Sequence, residues 1–178
     1  MFNNAGIYHF NSLMNITEQQ WSDTMDNNAL GTLIGIQEAA KIMIGDNKPG
    51  KIVNTASTSG IRGFANSVDY CASKSAVISM TETAAIELAP HGITVNCISP
   101  GIVRTALQER MDQERPQHGI KSFLDDPSAP GKYTLVGQSS GQWARPQDIS
   151  GLVAFLFGRG SDLITGQNYV IDGGLLLV

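Results

Sequence analysis

The sequence predicts an α/β fold, and three observations carry that expectation. Apolar runs of strand length occur at 51–56 and 93–99. Long stretches with helical spacing, 17–44 and 70–88, alternate with them. Clear stop signals, such as Ala89-Pro90-His91-Gly92, separate the two kinds of segment.

Each element has its own local signature. Thr17-Glu18-Gln19-Gln20 reads as a capping box opening the first long helix. Its apolar positions are Trp21, Met25, Leu33, Ile34, Ala40 and Met43. Inside it, Asn27-Asn28-Ala29-Leu30-Gly31 works against the helix, because Asn and Gly are poor helix formers. Such local conflicts often mark function. Residues 45–50 read as a surface turn before strand 51–56. The loop 58–69 carries Arg62 and Phe64 and is expected to border a pocket. Helix 70–88 and strand 93–99 follow. Segment 106–141 is rich in charge, Pro, Gly and Ser, with a strong helical hint only at 107–115; loops of this length are usually lids, binding loops or disordered. Pro146 is placed to open a helix over 147–157 that ends at Gly158. The apolar tail 175–178 is either a subunit interface or a segment folded back on its own core.

Composition sets bounds. The 178 residues suit one domain spanning 1–178, with 42% hydrophobic residues and 19 glycines. A net charge of −4 without a basic block argues against nucleic acid or an anionic membrane as partner. No apolar run approaches the roughly 20 residues of a transmembrane helix, and the N-terminus lacks the features of a signal peptide. Cys71 and Cys97 fit neither a disulfide framework nor a metal site, and a reducing, cytoplasmic location is expected. His9, His91 and His118 show no ligand spacing, so no metal is expected.

The chemistry concentrates between Ser57 and Lys74. Tyr70 and Lys74 lie four apart, on one face of a helix. A free phenol has a pKa near about 10, and a neighbouring ammonium is expected to pull it down, making a general acid/base. Ser57, at the end of strand 51–56, is placed to hold the same substrate oxygen. The pair alone is weak: a surface Tyr beside a solvated Lys has the same spacing.

Together, Asn54 to Ser57, Gly60 and Tyr70-Cys71-Ala72-Ser73-Lys74 resemble the active-site segment of the short-chain dehydrogenase/reductase family. Asn3-Asn4-Ala5-Gly6, Pro100-Gly101-Ile102-Val103-Arg104-Thr105 and Thr165-Gly166-Gln167 through Asp172-Gly173-Gly174 extend the resemblance over nearly the whole chain. It implies a Rossmann-type doubly wound parallel sheet lacking its first βαβ half, since no Thr-Gly-x-x-x-Gly-x-Gly turn is present. It implies a catalytic set of Asn28, Ser57, Tyr70 and Lys74, with Asn28 holding a relay water; the alternative for Asn28 is packing in a helix kink without a chemical role. It implies cofactor contacts by Asn4, Ala5, Gly6, Tyr70, Lys74, Pro100, Gly101, Val103 and Thr105, with NAD or NADP left open.

The implied activity interconverts a secondary alcohol and a ketone, with a small hydroxy-ketone, diol or polyol as substrate. Diacetyl/acetoin reductases and polyol dehydrogenases are the nearest in look, and 106–141 corresponds to the substrate-covering insertion. The alternatives are a 3-oxoacyl-carrier-protein reductase-like enzyme, or a truncated non-catalytic relative acting through subunit association. A homo-dimer or homo-tetramer is implied. The chain is expected to be incomplete at its N-terminus and, by itself, inactive.

Overall fold

The computed structural model describes residues 1–124 and 126–178. Four strands, β1 (Phe2–Asn3), β2 (Gly50–Thr55), β3 (Ile93–Pro100) and β4 (Asn168–Ile171), form one sheet in sequential order. Every neighbouring pair is parallel, with Ile52 opposite Val95 and Cys97 opposite Asn168. Between β1 and β2 run α1 (Glu18–Thr24), a π-helical segment (Met25–Leu30) and α2 (Gly31–Gly45). The long helix α3 (Val68–Leu88) joins β2 to β3. Between β3 and β4 come α4 (Ala106–Glu114), α5 (Ala129–Tyr133), α6 (Leu135–Ser140) and α7 (Pro146–Phe157).

Helices cover both faces of the sheet, and strand alternation decides which residue meets which helix. Ile52, Ile93 and Val95 pack with Ile36 and Ala39 of α2 and Ala85 of α3. Val53 and Ile98, one residue out of phase, pack on the other face with Leu156 and its neighbours on α7. β2 and β3 are apolar on both faces because both faces are covered, as a buried parallel sheet requires. Ile52, Val53 and Val95 are wholly buried. Lys51 points to the α7 side, where its ammonium donates to the Gly158 carbonyl and the Ser161 hydroxyl and pairs with Asp162.

The capping box forms as expected: the Gln20 amide donates to Thr17 Oγ1, and the Thr17 amide donates to Gln20 Oε1. The helix that follows does not run uninterrupted. Its Asn-containing patch adopts π geometry over Met25–Leu30 before the α pattern resumes at Gly31. Such single π turns occur frequently at functional sites.

The second difference lies in the segment 106–141, which is more ordered than its composition suggests. Besides α4, it forms the short helices α5 and α6. Thr134 links them: its hydroxyl accepts from the Gly137 amide and donates to the Pro130 carbonyl. The tail divides between its two readings, with Leu175 buried and Leu177 80% exposed. Several large apolar side chains of α2 and α3 face solvent, among them Ile34, Ile42 and Ile86. No helix among the described residues is long and apolar enough to cross a membrane.

Candidate active site

The carboxyl ends of β1, β2 and β3 open onto one crevice, the place where parallel α/β sheets bind ligands. It encloses a cavity of about 1060 Å³. Asn4, Ala5 and Gly6 after β1, Ser57 after β2, Tyr70 and Lys74 on α3, and Pro100, Gly101, Val103 and Thr105 after β3 all line it. Asn28 does not; it lies behind the wall.

Asn28 is wholly buried, and its side chain is fully used. Its amide nitrogen donates to the Ile7 carbonyl and to Ser73 Oγ, while its oxygen accepts from the Ile7 amide. The π turn directs that side chain across to the segment following β1. The Asn28 carbonyl accepts from Thr32 Oγ1. Gly6 brings the chain close at this point: a Cβ there would sit 3.2 Å from Asn28 Oδ1 and 3.5 Å from Lys74 Nζ. Gly60 is more tightly constrained, because a Cβ would lie 2.7 Å from the Lys74 backbone carbonyl. The loop after Ser57 can therefore lie flat on α3.

Ser57 sits at the start of that loop, and its hydroxyl accepts from the Ser59 amide. Burial pushes the Tyr70 phenol up to about 12, against a smaller lowering influence of the Ser57 hydroxyl. Lys74 donates to the Thr55 carbonyl at 2.8 Å, and burial lowers its pKa to about 8. Its nitrogen lies 5.5 Å from the centre of the Tyr70 ring.

This corrects the expectation that Lys74 would depress Tyr70 in the chain alone. The two side chains do meet, but both are desolvated, and desolvation favours the neutral form of each. The resting pair is a protonated phenol beside an easily deprotonated amine.

Thr105 has a structural task that its spacing did not reveal. Its hydroxyl accepts from the Gln108 amide and caps α4. Val103 forms a parallel bridge to Ala144, tying the post-β3 segment to the start of α7. The Pro100-Gly101 turn packs on Asp172, where a Cβ on Gly101 would come within 2.8 Å of the Asp172 side chain. Phe64 reaches the cavity as expected, whereas exposed Arg62 lies over the outer side of its ring at 5.6 Å.

Two features escaped the sequence reading. Tyr8 lines the cavity with its ring edge-on to Tyr70 at 5.0 Å, and its hydroxyl is 2.6 Å from Ser67 Oγ. Burial raises its pKa, against the Ser67 hydrogen bond. The second is the aromatic roof contributed by 106–141 and α7's approach, in which Phe123 meets Trp143 edge-on at 5.3 Å and Tyr133 lies 5.4 Å away. Tyr8 was signalled only by its position two residues past Gly6, and the roof by no local pattern.

The matching family model, described as Enoyl-(Acyl carrier protein) reductase, covers residues 1–176. A diacetyl reductase [(S)-acetoin forming] of Staphylococcus epidermidis is 38% identical over 179 residues, spanning 99% of this chain and 67% of the relative. A galactitol 2-dehydrogenase of Agrobacterium fabrum is 39% identical over 178 residues, spanning 98% of this chain and 66% of the relative. Among solved structures, a 4-hydroxyisoleucine dehydrogenase complexed with NADH superposes with a TM-score of 0.80 at 30% identity, spanning 99% of this chain and 68% of the other. The chain thus corresponds to about two thirds of the length of these proteins.

Proposed function

The chain belongs to the short-chain dehydrogenase/reductase family, and from that premise we propose that it carries the catalytic part of an NAD(P)-dependent enzyme interconverting a small secondary alcohol and its ketone. The observation that carries this reading is the convergence of Ser57, Tyr70 and Lys74 on one cavity, with Asn28 bonded behind them. The diacetyl reductase and galactitol dehydrogenase relatives favour a hydroxy-ketone, diol or polyol as substrate.

The residues fit a nicotinamide cofactor at its ribose and carboxamide end. Gly6 leaves the backbone close to Lys74, and Val103 and Thr105 line the same cavity. Bound there, the cofactor would supply or accept the hydride. Lys74, Asn4, Ala5, Gly6, Pro100, Gly101, Val103 and Thr105 are the residues proposed to hold it.

The chain's own residues manage the proton. Ser57 positions the substrate oxygen, and its hydroxyl acts on the Tyr70 phenol. Tyr70, a phenol protonated at neutral pH, donates to the carbonyl oxygen during reduction and must take a proton back during alcohol oxidation. Oxidation therefore needs a phenolate and rises with pH, while reduction is favoured at neutral pH. Asn28 anchors the segment after β1 and Ser73, keeping Tyr70 and Lys74 in register. The exposed apolar side chains of α2 and α3 are proposed to meet a second copy of the chain.

The test uses the product of the native transcript, whose in-frame extent is first read by sequencing upstream of the Met1 codon. That protein should oxidise NADH or NADPH with diacetyl, acetoin or a ketose, and Tyr70→Phe should lower kcat by at least about a hundredfold. Full activity in Tyr70→Phe would refute the proton-transfer assignment. A preference for 3-oxoacyl thioesters in the same panel would transfer the reading to the carrier-protein reductases.

A further inference from the structure

Lys74 and Arg115 are the two charged residues among those that line the cavity, and no carboxylate lines it among the described residues. Lys74 stands at the chemistry and is turned to the Thr55 carbonyl. Arg115 stands under the roof, just past the end of α4, with its side chain only 20% exposed. A cation this enclosed normally has an anionic partner in hydrogen-bonding contact.

The nearest carboxylate, Asp112, gives it an ion pair but no hydrogen bond. Asp112 Oδ1 is 3.7 Å from Arg115 Nε, beyond hydrogen-bond reach. Asp112 is instead occupied by the Ser122 hydroxyl and by the Phe123 and Leu124 amides, which pin the roof loop to α4. Arg115 is held by other means. Its Nε donates to the Lys121 carbonyl. Its guanidinium carbon lies 4.2 Å from the Phe123 ring centre and 5.7 Å from that of Phe10. The flat cation is thus fixed at Nε and against two ring faces. Its two terminal NH₂ groups make no hydrogen bond among the described residues. This is the fork that recognises a carboxylate by paired N–H donors.

Its position relative to the chemistry is traced by the rings between them. Phe10, under Arg115, lies 6.2 Å from Tyr8, and Tyr8 lies 5.0 Å from Tyr70. Arg115 is also close enough to Tyr8 for its charge to act on the Tyr8 phenol. Tyr70 and Arg115 therefore stand at opposite ends of an aromatic wall. A substrate spanning it would place its reacting carbon at Tyr70 and a group several carbons away at the guanidinium.

We infer that the substrate is a small hydroxy- or oxo-carboxylate whose acid group is received by Arg115. This rests on the alcohol–ketone reading above and narrows it. The diacetyl and galactitol named for two relatives carry no group that uses a half-buried cation, whereas the 4-hydroxyisoleucine named for a solved structure is a hydroxy-carboxylate. Arg115 is then the residue that sets specificity, acting at a distance from the reacting carbon.

The test measures binding separately from turnover. In the 178-residue chain carrying Trp21→Phe, Trp143 in the roof becomes the sole tryptophan and reports on ligands by its emission. The probes are 4-oxopentanoate and 5-oxohexanoate, each paired with its neutral amide of the same shape. The acid should bind at least about tenfold more tightly than the amide, as a site built for a charged group discriminates. That preference should weaken with added salt, vanish in Arg115→Gln and survive in part in Arg115→Lys. Equal binding of acid and amide, or failure of both to bind, overturns the inference. So does an Arg115→Gln variant, folded by circular dichroism, that weakens acid and amide equally, because that outcome makes Arg115 a clamp for the roof. Acid preference without hydride transfer in the transcript product would leave this inference standing and remove the oxidoreductase reading. Turnover of neutral ketones without acid preference would do the reverse.

Discussion

Lys74 is held at an energetic cost that can be measured. It is almost wholly buried, and burial lowers its pKa from 10.5 to about 8. At roughly 1.36 kcal/mol per pH unit, that difference corresponds to about 3 kcal/mol. The sign follows from linkage. Below pH 8 both folded and unfolded chains carry the charge, and the folded chain bears the full penalty. Between about pH 8 and 10.5 the folded chain has released the proton while the unfolded chain still holds it, so stability rises with pH. Above 10.5 both are neutral and the gain is complete.

Lys74→Met removes the titrating group while keeping the stem. Wild type should therefore gain about 3 kcal/mol on Lys74→Met between pH 7 and pH 10.5. For a chain of this size that is a change of about 6 to 12 °C in their Tm difference. Other lysines and tyrosines titrate in both proteins and cancel. The absolute effect of the substitution at one pH is less informative, because the Thr55 carbonyl also loses its donor. Calorimetry of both proteins across this range is the assay. A Tm difference that stays constant with pH would refute the claim that Lys74 is buried at the expense of its charge.

Three further outcomes are expected. Ser57→Ala removes the one interaction that lowers the Tyr70 pKa, so the phenol should titrate above the value of about 12, seen as a later ultraviolet transition in the difference spectrum against Tyr70→Phe. In the transcript product, the same substitution should impair alcohol oxidation more than ketone reduction. Asn28→Ala leaves the Ile7 amide and carbonyl without partners and should cost about 3 kcal/mol in urea denaturation, whereas a loss below about 1 kcal/mol would mean that water replaces the side chain. Gly60→Ala drives a methyl to within 2.7 Å of the α3 backbone and should destabilise by about 1 to 3 kcal/mol; a neutral result would show that the loop after Ser57 can lift off the helix.

What the sequence disclosed, and what it withheld, follows the range over which each feature is determined. The strands at 51–56 and 93–99, the capping box at Thr17 and the stop at Gly92 are set by neighbouring residues, and the structure places them within a residue or so of expectation. The Asn28 patch was visible as a conflict with its helix, but its resolution was not. A π turn is chosen because it lets Asn28 reach Ile7, 21 residues away, and Ser73, 45 residues away. Helices α5 and α6 hang on the Thr134 hydroxyl and on packing under Trp143, which local polarity conceals. The Tyr70–Lys74 pair makes the point most sharply. A spacing of four residues on a helix fixes that the two side chains meet, and they do. It says nothing about the medium in which they meet. That medium is built by the assembled fold around them, and its desolvation reverses the expected direction of the Tyr70 shift. Proximity is written in sequence spacing; electrostatics belongs to the assembled fold.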